Sequence, residues 1–168
     1  SFKTIINGGP GEMIVRLDRS FDSFGEEEDI ALFNKVECWC FDKEAPSGQL
    51  IYSGFVSGYR PVLEGNKEYV EVTILPYLAD CSVKMLRDGA GTTTVVQNSQ
   101  DPSNIFKNII GYYRADGGAL NYSDDSIDTT ATTVSYTFNT NTVKEALDKS
   151  IELTPENWFW RVDPTNLV

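Results

Sequence analysis

Residues 68–75, Glu-Tyr-Val-Glu-Val-Thr-Ile-Leu, set Val70, Val72 and Ile74 on one side of an extended chain and Glu71 and Thr73 on the other. A period of two suits a half-buried antiparallel strand with one wet face. Comparable runs recur through the first ninety residues at 12–17, 36–41 and 49–59, cut by turns rich in Gly, Pro, Asn and Asp. Gly54 and Gly58 inside the third run mark bulges or bends, Arg60-Pro61 ends it, and Glu64-Gly65-Asn66 forms the next turn. Residues 1–90 therefore read as about five antiparallel strands joined by hairpins, which close as a small barrel-like domain.

From residue 91 the pattern becomes a smaller α+β subdomain, running to 168. A strand-like run at 92–96 precedes Asp101-Pro102, an N-cap followed by proline at the first helical position. Ile105, Phe106, Ile109, Ile110 and Tyr113 follow at helical spacing until Gly117-Gly118. A strand at 133–138 leads to a second helix, where Thr142 and Glu145 have capping-box spacing and Val143, Ala146, Leu147, Ser150 and Ile151 form the buried stripe. Residues 157–162 read as a strand, 163–166 as a tight turn, and Leu167-Val168 as the first step of a return strand. That broken hairpin makes the chain, by expectation, the front of a longer protein. The fold class expected is α+β, mostly β.

Composition narrows the chemistry. Lys and Arg number 14 against 25 Asp and Glu, a net charge of −11, and histidine is absent. Specific nucleic-acid binding needs clustered cations, and triads and most zinc sites need an imidazole. Cys38, Cys40 and Cys81 provide no fourth zinc ligand and read as reduced, mostly buried thiols. No Gly-x-Ser-x-Gly or Ser-x-x-Lys pattern occurs, and no apolar run approaches the roughly 18 residues of a membrane span. Glu26, Glu27, Glu28 and Asp29 form a solvated loop without the spacing of a calcium loop. Asp124, Asp125 and Asp128 are carboxylates in a turn-rich connection. Catalytic, cofactor and metal sites are therefore not expected. Trp158 and Trp160 share one face of their predicted strand and have two readings, a closed core or a stacking platform for a glycan.

The order of segments carries a resemblance. The hairpin of 36–41 and 49–61 centres on Ile51-Tyr52-Ser53-Gly54-Phe55. It is followed by the run at 68–75, Asp101-Pro102-Ser103-Asn104-Ile105-Phe106, then 133–138 into 142–153, and Trp158-Phe159-Trp160-Arg161-Val162-Asp163. Taken together these resemble the N-terminal region of baseplate-hub and tail-associated (minor tail) proteins of long-tailed bacteriophages and prophages. The resemblance implies a structural tail-tip protein of the virion, assembled in the bacterial host cytoplasm. It implies a homotrimer whose tube domains form the ring continuing the tail tube, in contact with other tail proteins and host-facing parts. Double-stranded DNA would pass without specific binding. Glu26, Glu27, Glu28, Asp29, Glu68 and Glu71 are then candidates to face the lumen or an adjacent ring and repel phosphate. The alternative is a carbohydrate- or receptor-binding module using Trp158 and Trp160, or the non-catalytic part of a cell-wall hydrolase.

Overall fold

The structure, a computed structural model, describes residues 2–5, 9–18, 30–41, 47–155 and 157–163. The alternating run at 68–75 lies in β5 (Lys67–Leu75), and the strands before it are β1 (Phe2–Ile5), β2 (Gly9–Leu17), β3 (Lys35–Cys40) and β4 (Gln49–Glu64). They form one five-stranded sheet in the order β1-β2-β5-β4-β3. β5 runs antiparallel to both β2 and β4, and β3 runs antiparallel to β4. Val70, Val72 and Ile74 bury one face of β5 against Tyr52 and Val56 of β4, with Met13, Val15 and Leu17 of β2 packed alongside. Burying each such aliphatic side chain contributes roughly 1.5–3 kcal/mol. The Tyr52 hydroxyl lies 2.7 Å from the Gly11 carbonyl oxygen and 3.1 Å from that of Ile74, the acceptors a buried phenol requires.

β4 departs from the expected boundary. Pro61 does not end it but sits within it, opposite Val70 of β5. Pairing with β3 stops at Lys35 and Phe55, so beyond Phe55 the described residues place a strand on only one side of β4. A proline is tolerated at such an edge because no ladder donor is needed on the open side. Gly58 follows a bulge at Ser57, as the sequence predicts. Gly54 serves close approach instead, since a Cβ there would collide with the Leu75 carbonyl. The strand order is open, with β1 and β3 at its edges, so the expected barrel closure is not present among the described residues.

Contacts within the chain group residues 2–4 and Pro10–Pro76 as one unit, and Ile5, Gly9 and the chain from Tyr77 onward as another. This second unit contains α1 (Leu78–Cys81), β6 (Thr94–Gln100), α2 (Pro102–Ala115), a 3-10 turn at Asp124–Ser126, β7 (Val134–Asn139) and α3 (Val143–Glu152). β6 and β7 pair antiparallel as a separate ribbon.

Both longer helices have the ends the sequence predicts. The Asp101 carboxylate accepts the Ser103 N–H at 2.8 Å, with Pro102 in the first turn of α2. At its end Gly117 has φ of 79°, its N–H donates to Arg114, and the Gly118 N–H donates to Tyr113, the Schellman arrangement. In α3 the Thr142 hydroxyl accepts the Glu145 N–H at 3.2 Å, while the Glu145 carboxylate accepts the Thr142 N–H at 2.8 Å. Ile105, Phe106, Ile109, Ile110 and Tyr113 form one core with Val143, Ala146, Leu147, Phe138 and Trp160.

Two further expectations change. Residues 157–162 form no strand, and Leu167 and Val168 lie outside the described residues. Side-chain contacts hold the segment instead, as the Trp160 indole N–H donates to Asp148 at 2.9 Å and its ring meets Phe106 edge-on at 5.8 Å. The thiols are free, with Cys81 buried and Cys38 half-buried, but Cys40 at the end of β3 is exposed.

Candidate functional site

Of the six acids expected to face a lumen or a neighbouring ring, Glu26, Glu27, Glu28 and Asp29 lie outside the described residues. Glu68 is partly exposed on β5. Glu71 is not displayed as a free acid: only 8% of its side chain is exposed, and it sits between two arginines. The strand register causes this, because Arg16 of β2 and Arg60 of β4 both lie directly opposite Glu71. Arg60 Nη2 and Nε donate to Oε1 at 2.6 and 2.8 Å, and Arg16 Nε donates to Oε2 at 3.3 Å. Arg16 Nη1 also reaches Glu64 at 3.3 Å. Hydrogen bonds from Arg60, more than those from Arg16, hold the Glu71 carboxyl below its ordinary value although burial opposes them. Two glutamates thus meet two arginines, and this patch presents a balanced charge where the sequence alone reads as acidic.

The two tryptophans do not form a flat platform. Trp160 is 4% exposed and belongs to the core. Trp158 is half-buried and lines a cavity of about 510 Å³ within the second unit. Phe106, Ile127, Ile151, Phe159 and Trp160 add aliphatic and aromatic wall, while Ser103, Asp128, Arg161 and Asp163 supply polar groups. Of the three turn acids, Asp128 joins this wall, Asp124 is exposed and paired with Lys107 at 2.7 Å, and Asp125 is exposed.

One residue organises two sides of the cavity. Besides capping α2, the Asp101 carboxylate accepts the Thr130 N–H at 2.9 Å and its hydroxyl at 3.0 Å, tying the connection after Asp128 to the start of the helix. Burial pushes the Asp101 carboxyl up, but hydrogen bonds from Ser103 and Thr130 outweigh it and hold the group below its ordinary value. The cavity comes from three stretches far apart in sequence, so no local pattern announces it. Trp158, Trp160 and Asp128 are the lining residues that the sequence marks for binding or chemistry. Among the described residues, no group of three His, Cys, Asp or Glu is placed to hold a metal ion. Among them also, no helix is long and apolar enough to cross a membrane.

The first unit has a different surface character. Leu32, Phe33, Trp39, Phe41, Tyr59 and Leu63 are exposed, and two of these lie at the edge strand β3 or just beyond it. Phe33 stacks on Phe55 with ring centroids 6.2 Å apart, yet remains 78% exposed.

No family model matches the chain, and no curated protein matches it by sequence. Among solved structures, the 43 kDa tail protein of prophage MuSo2 from Shewanella oneidensis is similar, with a TM-score of 0.56 and 12% identity over 93% of this chain. The chain spans 44% of the length of that protein. At such identity the likeness is one of fold: the chain has the fold of part of a phage tail protein.

Proposed function

We propose that the chain is a structural component of a phage or phage-like tail, within the baseplate hub at the virion tail tip. There it helps form the ring that continues the tail tube and connects it to host-facing parts. The likeness of fold to a prophage tail protein over 93% of the chain carries this reading. Exposed Trp39, Phe41, Tyr59 and Leu63, together with the β3 edge, support it. Edges and apolar side chains of this kind invite pairing, and a ring of identical copies covers them. In this reading three copies associate, strands of neighbouring copies complete the barrel-like tube, and assembly takes place in the bacterial host cytoplasm. Other tail proteins are its partners, double-stranded DNA passes through without specific binding, and the chain performs no catalysis of its own. A net charge of −11 suits a surface that DNA slides past.

Sedimentation velocity of the chain tests the proposal. Concentration-dependent formation of a species of three times 18.7 kDa, weakened by Trp39→Glu or Phe41→Glu, is the expected result. A monomer at every soluble concentration, or an oligomer indifferent to both substitutions, speaks against it.

A further inference from the structure

The second unit holds a cavity that a purely architectural role does not require. Its volume of about 510 Å³ lies within the roughly 300–1,000 Å³ typical of small-molecule sites. Its walls are held by interactions of their own. Asp101 ties Thr130 to the start of α2, Trp160 is anchored on Asp148, and the Thr154 hydroxyl donates to the Ile151 carbonyl at 2.7 Å. Such walls are preorganised, which lowers the entropic cost of binding.

The lining identifies the class of ligand. Trp158 and Phe159 contribute aromatic surface, and Phe159 is 69% exposed. Asp128 and Asp163 bring acceptors and Arg161 brings donors, so both signs of charge meet at one opening. A strongly anionic or cationic ligand would be opposed by one of them. Ser103, also in the lining, is 1% exposed. An uncharged ring with an apolar C–H face and several hydroxyls matches this mixed aromatic and polar lining.

We propose that the cavity binds a saccharide unit, a neutral hexose or N-acetylhexosamine, with its ring face on Trp158 and its hydroxyls on Asp128 and Arg161. The site is independent of the tail assignment: a chain that stays monomeric yet binds sugar would sink that assignment and leave this one standing.

Isothermal titration calorimetry of the 168-residue chain with N-acetylglucosamine trimer and with maltotriose is the test. Tryptophan fluorescence in a Trp39→Phe background accompanies it, because Trp39 is exposed and lies in the other unit. One site per chain for at least one sugar is expected, with a saturable fluorescence change. Trp158→Ala should weaken binding by about tenfold or more, as loss of a central aromatic contact does. Asp128→Asn and Arg161→Gln alter exposed side chains, so they test the site even where Trp158→Ala disturbs the fold. Absence of saturable heat with both sugars overturns the proposal, as does binding that these two polar substitutions leave unchanged.

Discussion

Replacing Tyr52 by Phe removes one oxygen atom from a side chain that is 0% exposed and leaves its ring in place. That oxygen lies 2.7 Å from the carbonyl of Gly11 in β2, across the intervening strand β5. The loss has two parts. A hydrogen bond contributes about 1 kcal/mol net, and the buried Gly11 carbonyl left without its donor brings the total to about 1–3 kcal/mol. For a unit of this size, each kcal/mol lowers the melting temperature by about 4–8 °C. The chain carries three tryptophans, with Trp39 in the first unit and Trp158 and Trp160 in the second. Labelling with 5-fluorotryptophan therefore lets ¹⁹F NMR follow the units separately during urea unfolding. Tyr52→Phe should lower the midpoint read at Trp39. A change below about 0.5 kcal/mol, the ordinary range of a neutral surface substitution, would refute the assignment of this hydroxyl as the tie between β2 and β4.

Three more outcomes follow from the same geometry. Burial pushes the Cys81 thiol up to about 12 and raises the Tyr52 and Tyr113 phenols. The unfolded chain ionises these groups first, at about 8.5 for the thiol and about 10 for the phenols, so their stability is complete below those values and is lost as pH rises through them. Urea midpoints should hold from pH 7 to 8 and fall above about pH 9; constant midpoints to pH 11 would count against it. Gly54→Ala should cost about 1–3 kcal/mol by forcing a methyl against the Leu75 carbonyl, whereas a Cβ at Gly58 meets nothing within 4 Å and Gly58→Ala should be far milder; thermal melts of the two variants compare them. Thr142→Ala should cost about 1 kcal/mol by removing the cap of α3, seen as an earlier transition at Trp160.

Local signals explain most of what the sequence discloses. Asp101-Pro102 and Gly117-Gly118 bound α2 because an N-cap and a left-handed glycine act within one turn of a helix. Thr142 and Glu145 announce α3 for the same reason. The remainder depends on neighbours remote in sequence. Pro61 is compatible with β4 only because that stretch has lost β3 as a partner, which no window around residue 61 reveals. Glu71 falls on the wet face of its strand and reads as a displayed acid, until the registers of β2 and β4 bring Arg16 and Arg60 to either side. Trp158-Phe159-Trp160 reads as part of a strand, but Asp148 and Phe106 take Trp160 into the core and the segment is not assigned to a strand. The cavity is less legible still, since its residues come from α2, the turn around Asp128 and the stretch after α3.

The proposed place of the protein is the tip of a phage tail, and immunogold electron microscopy of particles purified from the strain that encodes it tests this most directly, using antibody raised against the chain. The account predicts gold at the distal end of the tails, with tails from a deletion strain unlabelled. Label confined to the cell surface, or particles from the parent strain that carry none after the tails are opened with mild denaturant, would contradict it.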